Sequence, residues 1–128
     1  MNKKIIAGYC RTATTDDMAV KRQRAYFEEY VKEHSAAKIV YYVDNGCSGL
    51  DYNRPAFRRL NRDISSGKVN QVVVQNLSRI GRDTALTLKW IKDIHEQGAS
   101  VVAPDIPAKL LEAIRVRSCG VKTTKIVR

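Results

Sequence analysis

The chain reads as an α/β fold of three layers: a mainly parallel sheet of four to five strands with helices on both faces. Three observations predict it. Short β-branched or apolar runs alternate with longer stretches of helical periodicity, which is the pattern of βαβ units. The run Gln71-Val72-Val73-Val74-Gln75 is continuously apolar at its centre, as a strand buried on both faces is. Gly-, Ser- and Pro-containing breaks separate the segments, without an internal linker or repeat. The 128 residues suit one domain with a single core.

Lys4-Ile5-Ile6-Ala7-Gly8-Tyr9 forms the first predicted strand. From about Asp16 to His34, Val20, Gln23, Phe27, Tyr30 and Val31 recur at three- and four-residue steps, so a helix follows. Thr14, Thr15 or Asp16 can cap its start, where Asp16 and Asp17 also suit the helix dipole. The β-branched and aromatic run Lys38–Val43 predicts the second strand, and Asp44-Asn45-Gly46-Cys47-Ser48-Gly49 is a dense loop signal. Arg54-Pro55 opens the second helix, because proline fits a first helical turn. Its inner stripe is Phe57, Leu60 and Ile64, with Arg58, Arg59 and Arg62 facing elsewhere, and Ser65-Ser66-Gly67 stops it. Gln71–Gln75 is the third strand. A third helix spans about Thr84 to Gln97 with Leu88, Ile91 and Ile94 inward, closed by Gly98. Ser100–Ala103 is the fourth strand. Pro107 to Arg117 shows Leu110, Leu111 and Ile114 as a last amphipathic helix before a basic tail.

The formal net charge is +10, from 23 Lys+Arg against 13 Asp+Glu. That excess on a small domain favours a polyanionic partner such as DNA, RNA or an acidic membrane surface over ordinary solubility charge, because many arginines fall in loops and at helix starts. No apolar run approaches the roughly 20 residues of a membrane span, and the start does not resemble a signal peptide. The expectation is a soluble, cytoplasmic protein without membrane association. Cys10, Cys47 and Cys119 form no CxxC pair and no zinc spacing, and are expected to be inert, reduced thiols. No metal or cofactor is expected.

In a parallel α/β fold the loops after the strands open on one edge of the sheet. Arg11 follows the first strand, Arg54 the second, and Arg79 and Arg82 the third, so four guanidiniums are expected to converge on one crevice. Guanidinium matches an oxyanion such as phosphate with two parallel charge-assisted hydrogen bonds. The 44–49 loop is either a plain flexible turn or a mobile cover that brings the Ser48 hydroxyl and backbone amides over a phosphate. Gln23 is either a polar face residue or a hydrogen-bonding partner of the site.

Taken together, these segments resemble the catalytic domain of the serine recombinases, the resolvases, DNA invertases and large phage integrases. Tyr9-Cys10-Arg11-Thr12-Ala13-Thr14 is similar to the family segment Tyr-x-Arg-Val-Ser-Thr. Gln23, Asp44–Gly49, Arg54-Pro55, Leu77–Thr84 and Gln97-Gly98-Ala99 follow in the family's order and spacing, over about residues 4 to 105. The resemblance implies DNA recombination or integration in mobile elements, through a serine that attacks a DNA phosphodiester to give a 5′-phosphoserine link. Arginines then supply the charge stabilisation that a metal gives to other phosphoryl transfers. It implies Arg11, Arg79 and Arg82 as catalytic, and Arg54, Gln23 and Ser48 as DNA-phosphate-binding. It also implies DNA as partner and a homo-oligomer, a dimer that becomes a tetramer in synapsis.

Two positions depart from the family. The nucleophile position is Ala13, whose methyl group cannot attack phosphorus, and the usual acidic residue before Arg79 is Ser78. An engineered serine-to-alanine change would explain the first but not the second, so a naturally degenerate copy is favoured. Thr12, Thr14, Ser48 and Ser78 are the hydroxyls nearest the gap, but a misplacement of about 1 Å can cost roughly a hundredfold in rate. Residues 1–105 are expected to form the catalytic-domain core, and 106–128 a short helix and tail with no separate DNA-binding domain. The expected function is a recombinase-domain homologue that binds DNA phosphates with strand cleavage impaired. Two alternatives stand beside it. One is a non-enzymatic module that associates with an active recombinase. The other is a binder of a small phosphorylated ligand, weakened by the lack of a GxGxxG or P-loop after the first strand.

Overall fold

Strands and helices alternate along the computed structural model, which describes residues 5–34 and 38–107. The elements are β1 (Ile5–Thr12), α1 (Asp17–His34), β2 (Lys38–Asn45), α2 (Pro55–Ser65), β3 (Gln71–Val73), a 3-10 turn (Leu77–Arg79), α3 (Thr84–Glu96) and β4 (Ser100–Val102). All strand pairs are parallel and the order is β2-β1-β3-β4. The chain thus leaves β1 toward β2, returns across it to β3, and continues to β4. β1 and β3 are neighbours whose connections depart in opposite directions, which opens a crevice at their carboxyl ends.

Side-chain alternation along β1 sorts the two faces. Ala7 and Tyr9 join the larger core with Phe57, Leu60 and Ile64 of α2 and Ile94 of α3. Ile6 and Cys10 join the smaller one with Phe27 of α1. The sheet is therefore covered by α1 on one face and by α2 and α3 on the other, the three layers expected from the alternation. Arg11, two residues beyond Tyr9, falls on the α2–α3 face.

Several boundaries differ from expectation. β1 runs to Thr12 instead of stopping at Tyr9, because β2 keeps pairing through Arg11↔Asp44 and Thr12↔Asn45. Arg11, Asp44 and Asn45 are therefore strand residues and not loop residues. β3 ends at Val73, two residues early, and the β1–β3 ladder stops at Gly8↔Val73. In α3, Ile91 and Ile94 are buried as expected, but the third buried residue is Thr87, while Leu88 is half-buried. Asp16 caps α1 by accepting from Ala19 N at 3.1 Å, and Asp83 caps α3 by accepting from Leu86 N at 3.0 Å. The predicted helix from Pro107 to Arg117 and the tail lie outside the described residues.

Candidate functional site

At the carboxyl edge of the sheet the early end of β3 leaves the β1 main chain without a strand partner on that side beyond Gly8. Gln23 of α1 fills that rung. Its Oε1 accepts from Arg11 N at 3.1 Å and its Nε2 donates to Arg11 O at 3.3 Å, so a fully buried side-chain amide stands in for a missing peptide group. Gln23 therefore lies beneath the crevice, engaged by the main chain on both sides.

The Arg11 side chain, only 2% exposed, reaches across to two loops. Its Nε donates to Arg79 O at 3.0 Å, Nη1 to Cys47 O at 3.0 Å and Nη2 to Ser78 O at 2.6 Å. In return Arg79 Nη1 donates to Arg11 O at 3.0 Å. Arg54, also 2% exposed, donates through Nη1 to Tyr9 Oη at 2.8 Å and Arg79 O at 3.3 Å, and through Nη2 to Ile80 O. Its guanidinium carbon lies 4.7 Å from the Phe57 ring centroid, 5.3 Å from that of Tyr52 and 5.7 Å from that of Tyr9. Arg54 is thus held in an aromatic cage. The buried Nε atoms of Arg54 and Arg79 have no hydrogen-bond partner among the described residues.

Arg82 is the exposed member of the set. Its main-chain N donates to Gly49 O at 2.9 Å, which brings the 47–52 segment over the crevice. A methyl group at Gly49 would lie 2.4 Å from Arg82 Cγ and 2.8 Å from Arg11 Nη2, so only glycine permits this approach. The same segment is latched further along by Tyr52, whose hydroxyl accepts from Asp83 N at 3.2 Å and lies 3.0 Å from Asp83 O and 2.8 Å from Thr87 Oγ1. Gly81 accommodates that ring, since a Cβ there would lie 2.0 Å from it. The four arginines expected to converge are therefore brought together, with Ser48 at their edge. The Ser48 hydroxyl accepts from Leu50 N at 3.0 Å, a local turn contact.

Ala13 stands in the exposed bend immediately after β1. The neighbouring Thr12 hydroxyl is already engaged, donating to Asn45 Oδ1 at 2.5 Å and accepting from Gly46 N at 2.9 Å. Ser78 Oγ donates to Asn76 Oδ1 at 2.6 Å. Its main chain belongs to a turn that Asp105 anchors by accepting from Leu77 N at 3.0 Å. Sequence reasoning missed Tyr9, Tyr52 and Asp105 as parts of this structure. Tyr9 carried a signal, since it opens the Tyr-x-Arg segment; Asp105 lies 28 residues from its partner and carried none.

The electrostatics are one-sided. Among the described residues the ion pairs are Lys68–Asp63 and Lys89–Asp93, so none of the four arginines has a carboxylate within 4.0 Å. The nearest buried carboxylate, Asp44, accepts instead from Tyr9 Oη at 2.7 Å, Ala56 N at 2.9 Å and Phe57 N at 3.0 Å. It caps α2 and reaches Arg54 only through the tyrosine. Burial lowers the pKa of Arg11, and the positive charges of Arg54, Arg79 and Arg82 lower it further. Burial raises that of Tyr9, against the opposing pull of Arg54, and keeps the phenol neutral. Among the described residues no His/Cys/Asp/Glu group could hold a metal ion.

Residues 6–113 match the family described as Resolvase, N terminal domain. The chain belongs to that family. A "Resolvase/recombinase" of Pseudomonas putida is 32% identical over 94 residues, covering 73% of this chain and 48% of that protein. A second relative, from Bacillus subtilis (strain 168), is 32% identical over 80 residues, 61% of this chain and 16% of its own length. The chain thus spans about half or less of these relatives. The fold of the N-terminal catalytic domain of TP901-1 integrase superposes with a TM-score of 0.76 at 24% identity, covering 94% of this chain and 96% of that one. A resolvase family site-specific recombinase from Streptococcus pneumoniae gives 0.68 at 21% identity, covering 94% and 89%. These likenesses establish the resolvase catalytic-domain fold.

Proposed function

We propose that this serine-recombinase catalytic-domain homologue grips a DNA phosphodiester in the β1/β3 crevice and does not cleave it. The observation that carries the reading is the cluster of four arginines, two of them buried, with no carboxylate in ion-pairing reach among the described residues. A buried cation without a counter-ion is unfavourable, and an arriving phosphate supplies the charge that Asp44 does not. Arg82 and the half-buried Arg79 make first contact, with Arg11 and Arg54 beneath them supporting the 78–80 segment. A serine recombinase needs a hydroxyl at position 13, and Ala13 offers none. Of the other hydroxyls, those of Thr12, Ser48 and Ser78 are engaged in local hydrogen bonds.

A duplex oligonucleotide titrated at several salt concentrations tests the binding half. The expected result is weakly sequence-selective binding whose log affinity falls linearly with log salt concentration, reduced by Arg82→Gln. Free nucleotides are expected not to compete; competition by them would favour a small phosphorylated ligand instead. The same alanine supports a companion reading, a non-cutting subunit that pairs with an active recombinase. Sedimentation of the mixed proteins, with no hetero-association, would remove that reading.

A further inference from the structure

The exposed back of α2 carries Arg58, Arg59 and Arg62, and the crevice does not use them. Arg58 and Arg62 continue a four-residue series from Arg54, the residue at the N-cap position of the helix, beside the crevice. Arg58 N donates to Arg54 O at 2.8 Å, so the two residues are one helical turn apart. Positions i, i+4 and i+8 form one ridge, with neighbours about 5–6 Å apart between Cβ atoms. Beside that ridge runs an open groove of about 600 Å³ lined by Arg58, Asn61, Arg62, Ser65 and Ser66. Among the described residues no carboxylate lines it. Asn61 Oδ1 accepts from Trp90 Nε1 at 2.7 Å, which leaves the donating end of that amide for other partners.

An arginine on a helix back is ordinarily a solvated side chain, commonly supported by a carboxylate three or four residues away. Arg58 has Arg54 and Arg62 at i−4 and i+4, and Pro55 and Asn61 at i−3 and i+3. Like charges at that spacing cost the helix about 0.2–0.5 kcal/mol per pair. Arg62 recovers part of this from the dipole at the helix C-terminus; Arg58, in mid-helix, does not. Arg58 Nη1 donates to the exposed Asn53 Oδ1 at 2.8 Å, a neutral acceptor that leaves its charge uncompensated, whereas the Arg59 guanidinium lies 5.1 Å from the centroid of the Tyr42 ring.

We infer that Arg58 and Arg62 form a second DNA-backbone contact, a track along α2 for phosphates flanking the one held in the crevice. The inference rests on the DNA-binding reading above. Its partner is a phosphodiester strand and not an acidic protein, because the two exposed arginines stand one and two helical turns from the buried Arg54 at the crevice and a strand carries charges at regular intervals.

The test is the salt dependence of duplex binding by the whole chain, compared among exposed-residue variants. Each phosphate contact contributes about 0.9 to the slope of log affinity against log salt. R58Q/R62Q is expected to flatten the slope by nearly two, R58K/R62K to retain it, and R59Q to leave it unchanged. If the unmodified chain binds duplex and R82Q flattens the slope but R58Q/R62Q does not, the track is overturned and the crevice reading stands. If the unmodified chain shows no salt-dependent binding, both fall.

Discussion

At the scale of single residues, the four arginines divide into two kinds. Arg11, Arg54 and the half-buried Arg79 donate to main-chain carbonyls at Cys47, Ser78, Arg79, Ile80 and Arg11, whereas Arg82 is exposed. Arg54→Met would leave the Ile80 carbonyl without the Nη2 donor and the Tyr9 phenol without the Nη1 donor. At roughly 1–3 kcal/mol for each stranded group, a loss of about 3 kcal/mol in urea unfolding is expected, against about 0.5 kcal/mol or less for Arg82→Gln. The two thiols among the described residues divide similarly. Burial pushes the Cys10 thiol up to about 12 from an ordinary 9.0, despite the nearby charges of Arg24 and Arg79. Its neutral form is thus favoured by folding: that stability is complete below pH 9 and is lost as the pH rises toward 12. At pH 8 iodoacetamide is expected to modify the partly exposed Cys47 in the folded protein and to spare Cys10, as read by peptide mass spectrometry. The residues that converge here were legible in the sequence because each strand end carried an arginine. Their division was not, since burial of Arg11 depends on the strap at Gly49 and burial of Arg54 on a ring from Tyr52.

At the scale of elements, the crevice at the ends of β1 and β3 is closed over by segments that belong to no strand. The 47–52 strap is tied to Arg82 N through Gly49 O and to α3 through the Tyr52 hydroxyl. Tyr52→Phe keeps the ring against Gly81 and Arg54 but removes the hydroxyl contacts to Asp83 and Thr87. The expected cost is about 1–2 kcal/mol, with faster amide exchange confined to the strap and the start of α3. Faster exchange spread evenly through the sheet would contradict that assignment. Helix periodicity placed α1, α2 and α3 well because each buries one apolar stripe. Strand ends were read less well. β1 and β2 continue through Arg11 and Asp44, polar residues that alternation alone assigns to a loop, because their ladder supplies partners the pattern does not show.

At the scale of the whole molecule, strand order decides where the site is. The β2-β1-β3-β4 order puts the reversal of connection between β1 and β3, and Arg11 and the 77–80 segment flank that gap. Alternating strands and helices made the fold class readable. The order itself was not legible, since periodicity does not say which strands are neighbours. A net charge of +10, and an arginine cluster with no carboxylate in ion-pairing reach among the described residues, support the phosphate-holding reading proposed above, while Ala13 presents a methyl group at the position where the resemblance places the nucleophile. The most direct measurement is the covalent one: the unmodified chain is incubated with supercoiled and nicked DNA, denatured, and examined for protein carried on a DNA 5′ end. The account predicts salt-sensitive binding with no covalent product. A DNA-linked protein mapped to any serine or threonine of this chain, Thr14 or Ser48 included, would contradict it.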